Sequence, residues 1–520
     1  MTFHLLSLAC ACAAFAATTV DAKKIFWVPF PGSVSHHMLA AKVGQELAAR
    51  GHEFIVINTD YDGKQFGKDG KVNTDGITEL LYPHPLTEAE MIGWLDEIAV
   101  LDPFTGTQKM VDMVYAGCDT MLQDEAIMSQ IKDADVIVVD AAVMCGSVVR
   151  DILKTPIRVD FLPITFYDPF YIPRLGSANS YSYVPQMGSK LTADMDFGER
   201  ITNTIVGTVD SLVEYFISDP AANKLRAKYG LKGTHKEAMA DTGMMITQNT
   251  WITEFPRAIP PAVKLVGPIL ASPAKPIEQP ELASFIEAAE KVVIVSFGSQ
   301  ARVTQDIVDR LAEAFGKLNG MHVIWKTPGM EPANVPANVM TTKWFPQNDL
   351  LGQEKVVAFF SHGGLNSVSE AAYHGVPVVG FPLFGDQWDN IARLQYQGMA
   401  KNIDSETFTV ETVVEVVEEV AGTASYAENA AKVAKIIHDT PKRPVEMAAD
   451  WVEYAIRHDG ALFQKVPGLD QPWIVASGWD VTLTLGLVIY ITLYLPAKFI
   501  FGKVCSGKAD VEVVDPKKIN

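Results

Sequence analysis

Two doubly wound α/β domains facing each other across a cleft, plus one C-terminal membrane-spanning helix, are the fold class this chain predicts. Three observations carry it. Apolar strand-like runs alternate with helical stretches twice over, first from Lys24 and again from KVVIVSFGS to about residue 420; such alternation implies parallel sheets covered on both faces. Between the two series lies PILASPAKPIEQPE (268–281), with the composition of an interdomain linker. Near the other end, Val481 to Ala497 contains no charge and the apolar run continues past Lys498 to Phe501, about the length that crosses a bilayer.

The elements follow in order. MTFHLLSLACACAAFAATTVDA is an apolar run ending in small residues, with Val20 and Ala22 placed for cleavage before Lys23. It predicts a secretory signal peptide over 1–22, although no basic residue precedes the apolar stretch. KIFWVPF is then the first strand, followed by a helix from about His36 to Arg50 and by EFIVINTD and ADVIVVDAAV as further strands. This first domain is expected over 23–267. Its stretch from 160 to 216, rich in Phe and Tyr with scattered prolines, is expected to form loops and short helices. A linker over 268–285 leads to a second domain with closing helices over 286–472. The membrane helix is placed at 479–501, with Trp473 and Trp479 in an interfacial belt and Lys498 snorkelling outward. The tail, 502–520, carries Lys503, Lys508, Lys517 and Lys518, as the positive-inside rule expects of a cytosolic end, so that the signal peptide puts the bulk of the chain in the lumen. KKIN at the terminus matches the di-lysine pattern read by retrieval receptors of the endoplasmic reticulum, an address rather than an anchor.

A chain of 520 residues is too long for one core. Its net charge of -19 argues against a nucleic-acid partner, whose phosphates would repel it. Of the five cysteines, Cys10 and Cys12 leave with the signal and Cys505 falls in the tail. Cys118 and Cys145 are expected as two free buried thiols rather than a bridge. No Asn-x-Ser/Thr sequon occurs, so N-glycosylation is not expected.

Residues 342–390 hold the densest chemistry. Val356 to Ser361 is an apolar run suited to a buried parallel strand. Gly363 and Gly364 break it, and Asn366 or Ser367 begins a helix that runs to about His374 and Gly375. A helix start has unpaired N–H groups and partial positive charge, which suits a phosphate. His362, Asn366 and Ser367 surround that point. Glu370 lies one turn on, along the same face, where a carboxylate accepts both hydroxyls of a ribose. Val378 to Phe381 is the next strand, and Asp386 and Gln387 fall in the loop beyond it. Trp344, on the preceding turn, offers a flat surface for a base. Ligands of open α/β sheets bind outside the carboxyl ends of the strands, so the group reads as a nucleotide-sugar site.

WFPQNDLLG, FFSHGGLNSVSEAAYHGVPVVGFPLFGDQWDN and the spacing between them resemble the signature of the UDP-glycosyltransferases. The likeness is to the membrane-bound animal branch, which includes the UDP-glucuronosyltransferases, and it extends over nearly the whole chain. The resemblance implies the GT-B arrangement: two Rossmann-like domains, the N-terminal one binding the acceptor and the C-terminal one the UDP-sugar. It implies that Trp344 stacks on uracil, the Phe345 backbone pairs with its edge, and Gln347 approaches the ribose. His362, Gly364, Asn366 and Ser367 would hold the diphosphate, Glu370 the ribose, and Asp386 with Gln387 the sugar hydroxyls. Gly298 and Ser299, in VVIVSFGSQ, match the family's phosphate-facing loop, and Lys326, in VIWKTPG, would lie near the nucleotide. Arg257, in TEFPRAIPP, matches an Arg of the animal enzymes that would pair with a glucuronate carboxylate, although the family's glucose-using members also have it, so the sugar stays open. Gln387 suits glucose or glucuronic acid, where a galactose-using relative has His.

Sugar transfer to a hydroxyl needs a base and something to stabilise the departing diphosphate. In PFPGSVSHHMLAAKVGQELAARGH the turn after the first strand delivers His36 to a helix start. That place suits a base, because the positive helix end disfavours a second positive charge. By resemblance His36 aligns with the family's catalytic His and His37 with a non-catalytic neighbour. Asp140 ends the strand VIVVD, where a carboxylate on the same sheet edge would orient the ring and stabilise its protonated form. No metal and no other cofactor is expected: Asp133-Ala134-Asp135 precedes a strand, Asp194-Met195-Asp196 resembles an acceptor-domain segment, and the helix start with His362 takes a metal's electrostatic role. Phe161, Phe166, Tyr167, Phe170, Tyr171, Tyr181 and Tyr183 are expected either to line an apolar pocket for a small lipophilic acceptor bearing a hydroxyl or to be ordinary core. The implied partners are that acceptor, the UDP-sugar as co-substrate and the membrane, with homo-oligomerisation left open. The implied reaction is inverting transfer of glucose or glucuronic acid to give a β-glycoside and UDP. The alternatives are a catalytically silent single-pass binding or receptor protein on the same scaffold, or a galactosyl or N-acetylglucosaminyl transferase.

Overall fold

The computed structural model describes residues 21–64, 72–87, 89–91, 93, 103–141, 145–166, 173–176, 180–298, 303–327 and 330–499. Residues 1–20 of the expected signal peptide, Ser299, Tyr167, Phe170, Tyr171 and the KKIN terminus lie outside them.

The first sheet is parallel throughout and has seven strands: β1 (Lys24–Val28), β2 (Glu53–Thr59), β3 (Thr78–Tyr82), β4 (Val136–Asp140), β5 (Ile157–Leu162), β6 (Met245–Thr247) and β7 (Val263–Leu265), in the order β3-β2-β1-β4-β5-β6-β7. Alternation along each strand sends successive side chains to opposite faces. Ile25, Trp27, Phe54 and Val56 pack with Leu39, Ala40, Val43 and Leu47 of α1 (Val34–Ala49). Phe26, Val28, Ile55 and Ile57 share the other core with Val111, Val114 and Met121 of α2 (Pro103–Gln123). Both faces are therefore dry, which is why these strands are near-continuous apolar runs. Gly44 lies mid-helix in α1 because a Cβ there would stand 2.4 Å from the Phe54 ring.

Two expectations for this domain are corrected. Cys118, in α2, and Cys145, just before α3 (Gly146–Leu153), form a disulfide rather than two free thiols. Both point into the same core cluster, with Cα atoms 6.3 Å apart, inside the span a disulfide bridges. The stretch 160–216 is not only loops and short helices: it contains α4 (Phe197–Val213), a helix of 17 residues. Asp196 caps it, accepting from the Glu199 N–H while the Glu199 carboxylate accepts from the Asp196 N–H. That reciprocal box fixes a helix start where the aromatic composition conceals one.

The second sheet has six parallel strands: β8 (Lys291–Ser296), β9 (Met321–Lys326), β10 (Val339–Thr342), β11 (Val356–Ser361), β12 (Val378–Gly380) and β13 (Ala400–Asn402), in the order β10-β9-β8-β11-β12-β13. Its site-bearing helices are α5 (Gln347–Leu351), α6 (Leu365–His374) and α7 (Gln387–Tyr396). In each sheet the strand order reverses beside its first strand, at β1/β4 and β8/β11. Loops on either side of such a switch point diverge and leave a crevice at the strands' carboxyl ends.

A last helix, α8 (Pro444–Arg457), returns to the first domain. Val445, Ala448, Ala449 and Val452 complete the core beside α1, and Arg50 donates to Asp450, Glu453 and the Glu446 carbonyl. From Val466 the chain forms a separate unit. It contains Trp479–Phe499, a helix of 21 residues whose apolar surface is unburied and which is long enough to cross a bilayer.

Closing a loop of 27 residues with a disulfide stabilises by about 3 kcal/mol. Alkylation under denaturing, non-reducing conditions should leave Cys118 and Cys145 unlabelled, and Cys118→Ala should lower the thermal midpoint of unfolding.

Candidate active site

In the first domain two neighbouring strands bring the reactive groups together. β1 and β4 pair in register, Val28 opposite Val139, so Asp140 ends β4 beside the chain leaving β1. That chain turns through Phe30 and Gly32, and α1 begins with Ser33 as its N-cap, placing His36 in the first turn. His36 Nδ1 lies 2.7 Å from Asp140 Oδ2, which also accepts the Phe30 N–H at 3.1 Å. One buried carboxylate thus fixes the ring and the loop leading to it. With Nδ1–H donated to Asp140, Nε2 carries the lone pair. His37 is fully buried, 3.7 Å from Asp62, and burial lowers it to about 3. Asp62 in turn accepts the Gly32 N–H and the Thr59 hydroxyl, so a second carboxylate holds the same turn.

The second domain repeats the device. β8 and β11 end in the paired serines Ser296 and Ser361, and each hydroxyl accepts the N–H of the glycine two residues on, Gly298 and Gly363. His362 stands between these turns. A Cβ at Gly298 would meet its Nε2 at 2.7 Å and one at Gly364 at 2.5 Å, so glycine on both sides makes room for the ring. Burial, then Lys326, lowers His362 to about 4 and keeps it neutral. Gly364 is the N-cap of α6, and no side chain caps the helix. The N–H groups of its first turn therefore have no intrahelical partner. His362 Nδ1 and Asn366 Oδ1 are buried without a hydrogen-bond partner among the described residues.

Along α6, Glu370 accepts from Gln347 Nε2 at 2.6 Å, and the same amide reaches Ser367 Oγ at 3.2 Å. Burial raises Glu370 to about 7. Trp344 keeps 45% of its surface exposed, and Lys326 Nζ sits 5.3 Å from its ring. The Phe345 side chain is core, leaving its backbone as the part that can face a ligand. Asp386 is the N-cap of α7 and Gln387 its first residue, so Gln387 belongs to a helix and not to the loop expected from sequence. Gln387 Oε1 accepts the Leu383 and Phe384 N–H groups, which leaves its amide N–H groups for a ligand. Burial raises the pKa of Asp386, against the opposing hydrogen bond from Asn390.

A cleft of about 690 Å³ runs between the domains and is lined by His36 at one side and by Gly298, Lys326, Trp344, Phe345, Gln347, His362, Gly364, Asn366, Ser367, Glu370, Asp386 and Gln387 at the other. Asp140 lies behind His36, fully buried. Of the two sequence readings of that aromatic stretch, its described residues take core or surface places rather than the cleft lining. Phe161 and Phe166 are core, Tyr181 packs against α4, and Tyr183 is exposed. Phe30, Met38, Met91, Met110, Ile164 and Leu270 supply the apolar lining instead. Of these only Phe30 has a local signal, beside the turn of PFPGS; scattered methionines carry none. Arg257 is also corrected. Its guanidinium engages Glu254 at 2.5 Å and the Phe255 carbonyl, lies over the Phe166 ring, and does not line the cleft.

Comparison with known proteins agrees with this geometry. A family model described as "UDP-glucoronosyl and UDP-glucosyl transferase" matches residues 24–510. The chain belongs to this family. It is 33% identical over 494 residues to UDP-glucuronosyltransferase 2C1 of Oryctolagus cuniculus, covering 91% of this chain and 97% of that one. It is 34% identical over 503 residues to 2-hydroxyacylsphingosine 1-beta-galactosyltransferase of Rattus norvegicus, covering 93% and 90%. Among solved structures, the calicheamicin glycosyltransferase CalG4 superposes with a TM-score of 0.60 at 19% identity, over 84% of this chain and 99% of that one. Os79 from O. sativa in complex with UDP gives 0.59 at 16%, over 84% and 100%. The fold is GT-B, and the protein is a UDP-glycosyltransferase.

Glu370 gives a pH test of this site. Its carboxyl titrates near 7 in the folded chain against an ordinary 4.5. Between those values the folded state holds a proton that the unfolded state has released, so stability falls as pH rises through the window and levels off above it. Without nucleotide, Glu370→Gln should gain stability over the wild type from pH 5 to 8, on the order of 1–3 kcal/mol, read from thermal midpoints.

Proposed function

We propose that this enzyme transfers a hexose from a UDP-sugar to the hydroxyl of a small lipophilic acceptor, with inversion, giving a β-glycoside and UDP. The observation that carries this reading is the 2.7 Å contact of His36 with Asp140 at one wall of a cleft whose other wall is an uncapped helix start. His36 Nε2 takes the acceptor proton as the oxygen attacks the anomeric carbon. The bond from that carbon to the diphosphate breaks, and Asp140 stabilises the imidazolium. The N–H groups at the start of α6, with Asn366 and Ser367, receive the charge that develops on the departing UDP. Gly298, Ser299, His362 and Gly364 flank the diphosphate, Trp344 and the Phe345 backbone hold uracil, and Gln347 and Glu370 hold the ribose. Asp386 and Gln387 bind the sugar hydroxyls.

Two observations favour glucose over glucuronic acid as the donor sugar: Arg257 is engaged with Glu254, and Asp386 places a carboxyl group at the sugar end. The methionine-rich wall of the cleft supports an apolar acceptor. We further propose a single-pass protein of the endoplasmic reticulum membrane with its catalytic domains in the lumen. The apolar helix Trp479–Phe499 and the disulfide support that reading.

His36→Ala should lower kcat by at least about 100-fold while UDP affinity, measured calorimetrically, changes less than about threefold; parallel loss of both would reject the base. Asp140→Asn should give a comparable loss of kcat. With a simple phenol as acceptor, UDP-glucose should show a higher kcat/KM than UDP-glucuronate, and the reverse order would reject the donor assignment.

A further inference from the structure

The cleft does not end at His36. It follows α1 beyond its first turn, and Val34, Met38, Ala41 and Gln45 line it at the spacing of one helix face. Val72 lines this lobe as well, packed with Val34 and Ala41 in a small apolar cluster apart from the main cores. Further along the helix the lobe turns polar. Gln45 Nε2 donates to the Asn73 and Asp75 carbonyls at 3.3 and 3.4 Å, and Asn73 and Lys42 join the lining there. Lys42 comes six residues after His36, about 9 Å on along the axis.

Charge on this wall runs against the rest of the chain. The protein has 62 acidic and 43 basic residues, yet among the described residues no carboxylate of the first domain lines the cleft. Glu370 and Asp386, the two that do, belong to the second domain. Lys42 is exposed, and the acid one turn on from it, Glu46, is taken: Arg50 engages it at 3.1 Å and Arg443 reaches it at 3.8 Å. No carboxylate among the described residues pairs with Lys42. An apolar groove with an unmatched cation at its far end fits a ligand that is apolar in its body and negative at its tip.

We propose that the acceptor is an amphiphilic acid: its hydroxyl stands at His36, its apolar body lies along α1, and its carboxylate pairs with Lys42. The proposal rests on reading the cleft as a glycosyltransferase site with its acceptor beside His36. The flexible stem of a lysine lets the ammonium follow a carboxylate over several ångströms, so the distance between hydroxyl and acid is loosely set. Lys42 stays hydrated at the open end of the lobe, so the pair loses little solvation and its gain is modest and sensitive to salt. Affinity comes from the apolar body; the cation selects the acid over a neutral analogue of the same shape.

The test gives the full chain two acceptors: a phenol bearing a para six-carbon chain that ends in carboxylate, and the same molecule ending in carboxamide. Each is assayed with UDP-glucose, UDP-glucuronate and UDP-galactose, and the fastest donor is kept. In the wild type kcat/KM should favour the acid by at least about threefold, and ~0.5 M sodium chloride should shrink that ratio. Lys42→Ala should lower the ratio at least about threefold through the KM of the acid, Lys42→Glu should carry it below one, and Lys42→Arg should keep it. A ratio that Lys42→Ala leaves unchanged, or a wild type that prefers the amide, overturns the proposal, while turnover of the amide leaves the reading of the site standing. If neither acceptor is glycosylated with any of the donors, that reading and this proposal fall together.

Discussion

The two halves of this cleft are held in register by two buried carboxylates, Glu254 and Asp389. Glu254, at the rim of the first domain, accepts from Arg257 beside it and from Arg393 on α7 of the second domain, while its other oxygen takes the Thr165 hydroxyl. Burial opposes its charge, yet Arg393 and Arg257 hold it below the ordinary carboxylate range. Four residues earlier on α7, Asp389 accepts the Gly188 and Lys190 N–H groups from the first domain. A buried ion cluster contributes little net stability, because desolvation cancels most of its attraction, but it tolerates few alternative geometries. Here the geometry is the point: α7 starts with Asp386 and Gln387, so the ties that join the domains also set where these two side chains stand across the cleft from His36.

Each domain builds its functional group by the same rule. Where strand order reverses, the ends of two adjacent strands lie side by side with diverging loops. In the first sheet that adjacency yields an imidazole against a carboxylate; in the second, an imidazole between two glycine turns. The chemistry differs because of what the second strand ends in. Asp140 holds the His36 ring through Nδ1, whereas burial and Lys326 keep His362 neutral beside the start of α6.

Much of this was legible in the sequence because the signals are local. Strand–helix alternation reports two covered parallel sheets, the Gly-Gly break reports the start of the helix after it, and His36 at the helix start after β1 and Asp140 at the end of β4 come together because the doubly wound order pairs those strands. What escaped depends on contacts between distant segments. The bond between Cys118 and Cys145 requires α2 and the turn before α3 to share one core. The apolar wall of the cleft comes from methionines on separate elements, without a common spacing. Arg257 carries a motif-like context, but its partner Glu254 takes it out of play. Helix α4 was hidden because its outer face is as apolar as a buried one, so composition alone suggested irregular core.

The return of α8 has a consequence for how such enzymes diversify. The first domain is not one contiguous stretch of gene: residues near 450 seal the apolar flank of α1 and clasp Arg50. A hybrid that exchanges only the leading half between two relatives would graft a foreign lid onto that flank. Recombination that exchanges the first domain must therefore carry both pieces together, or occur between parents whose lids already match.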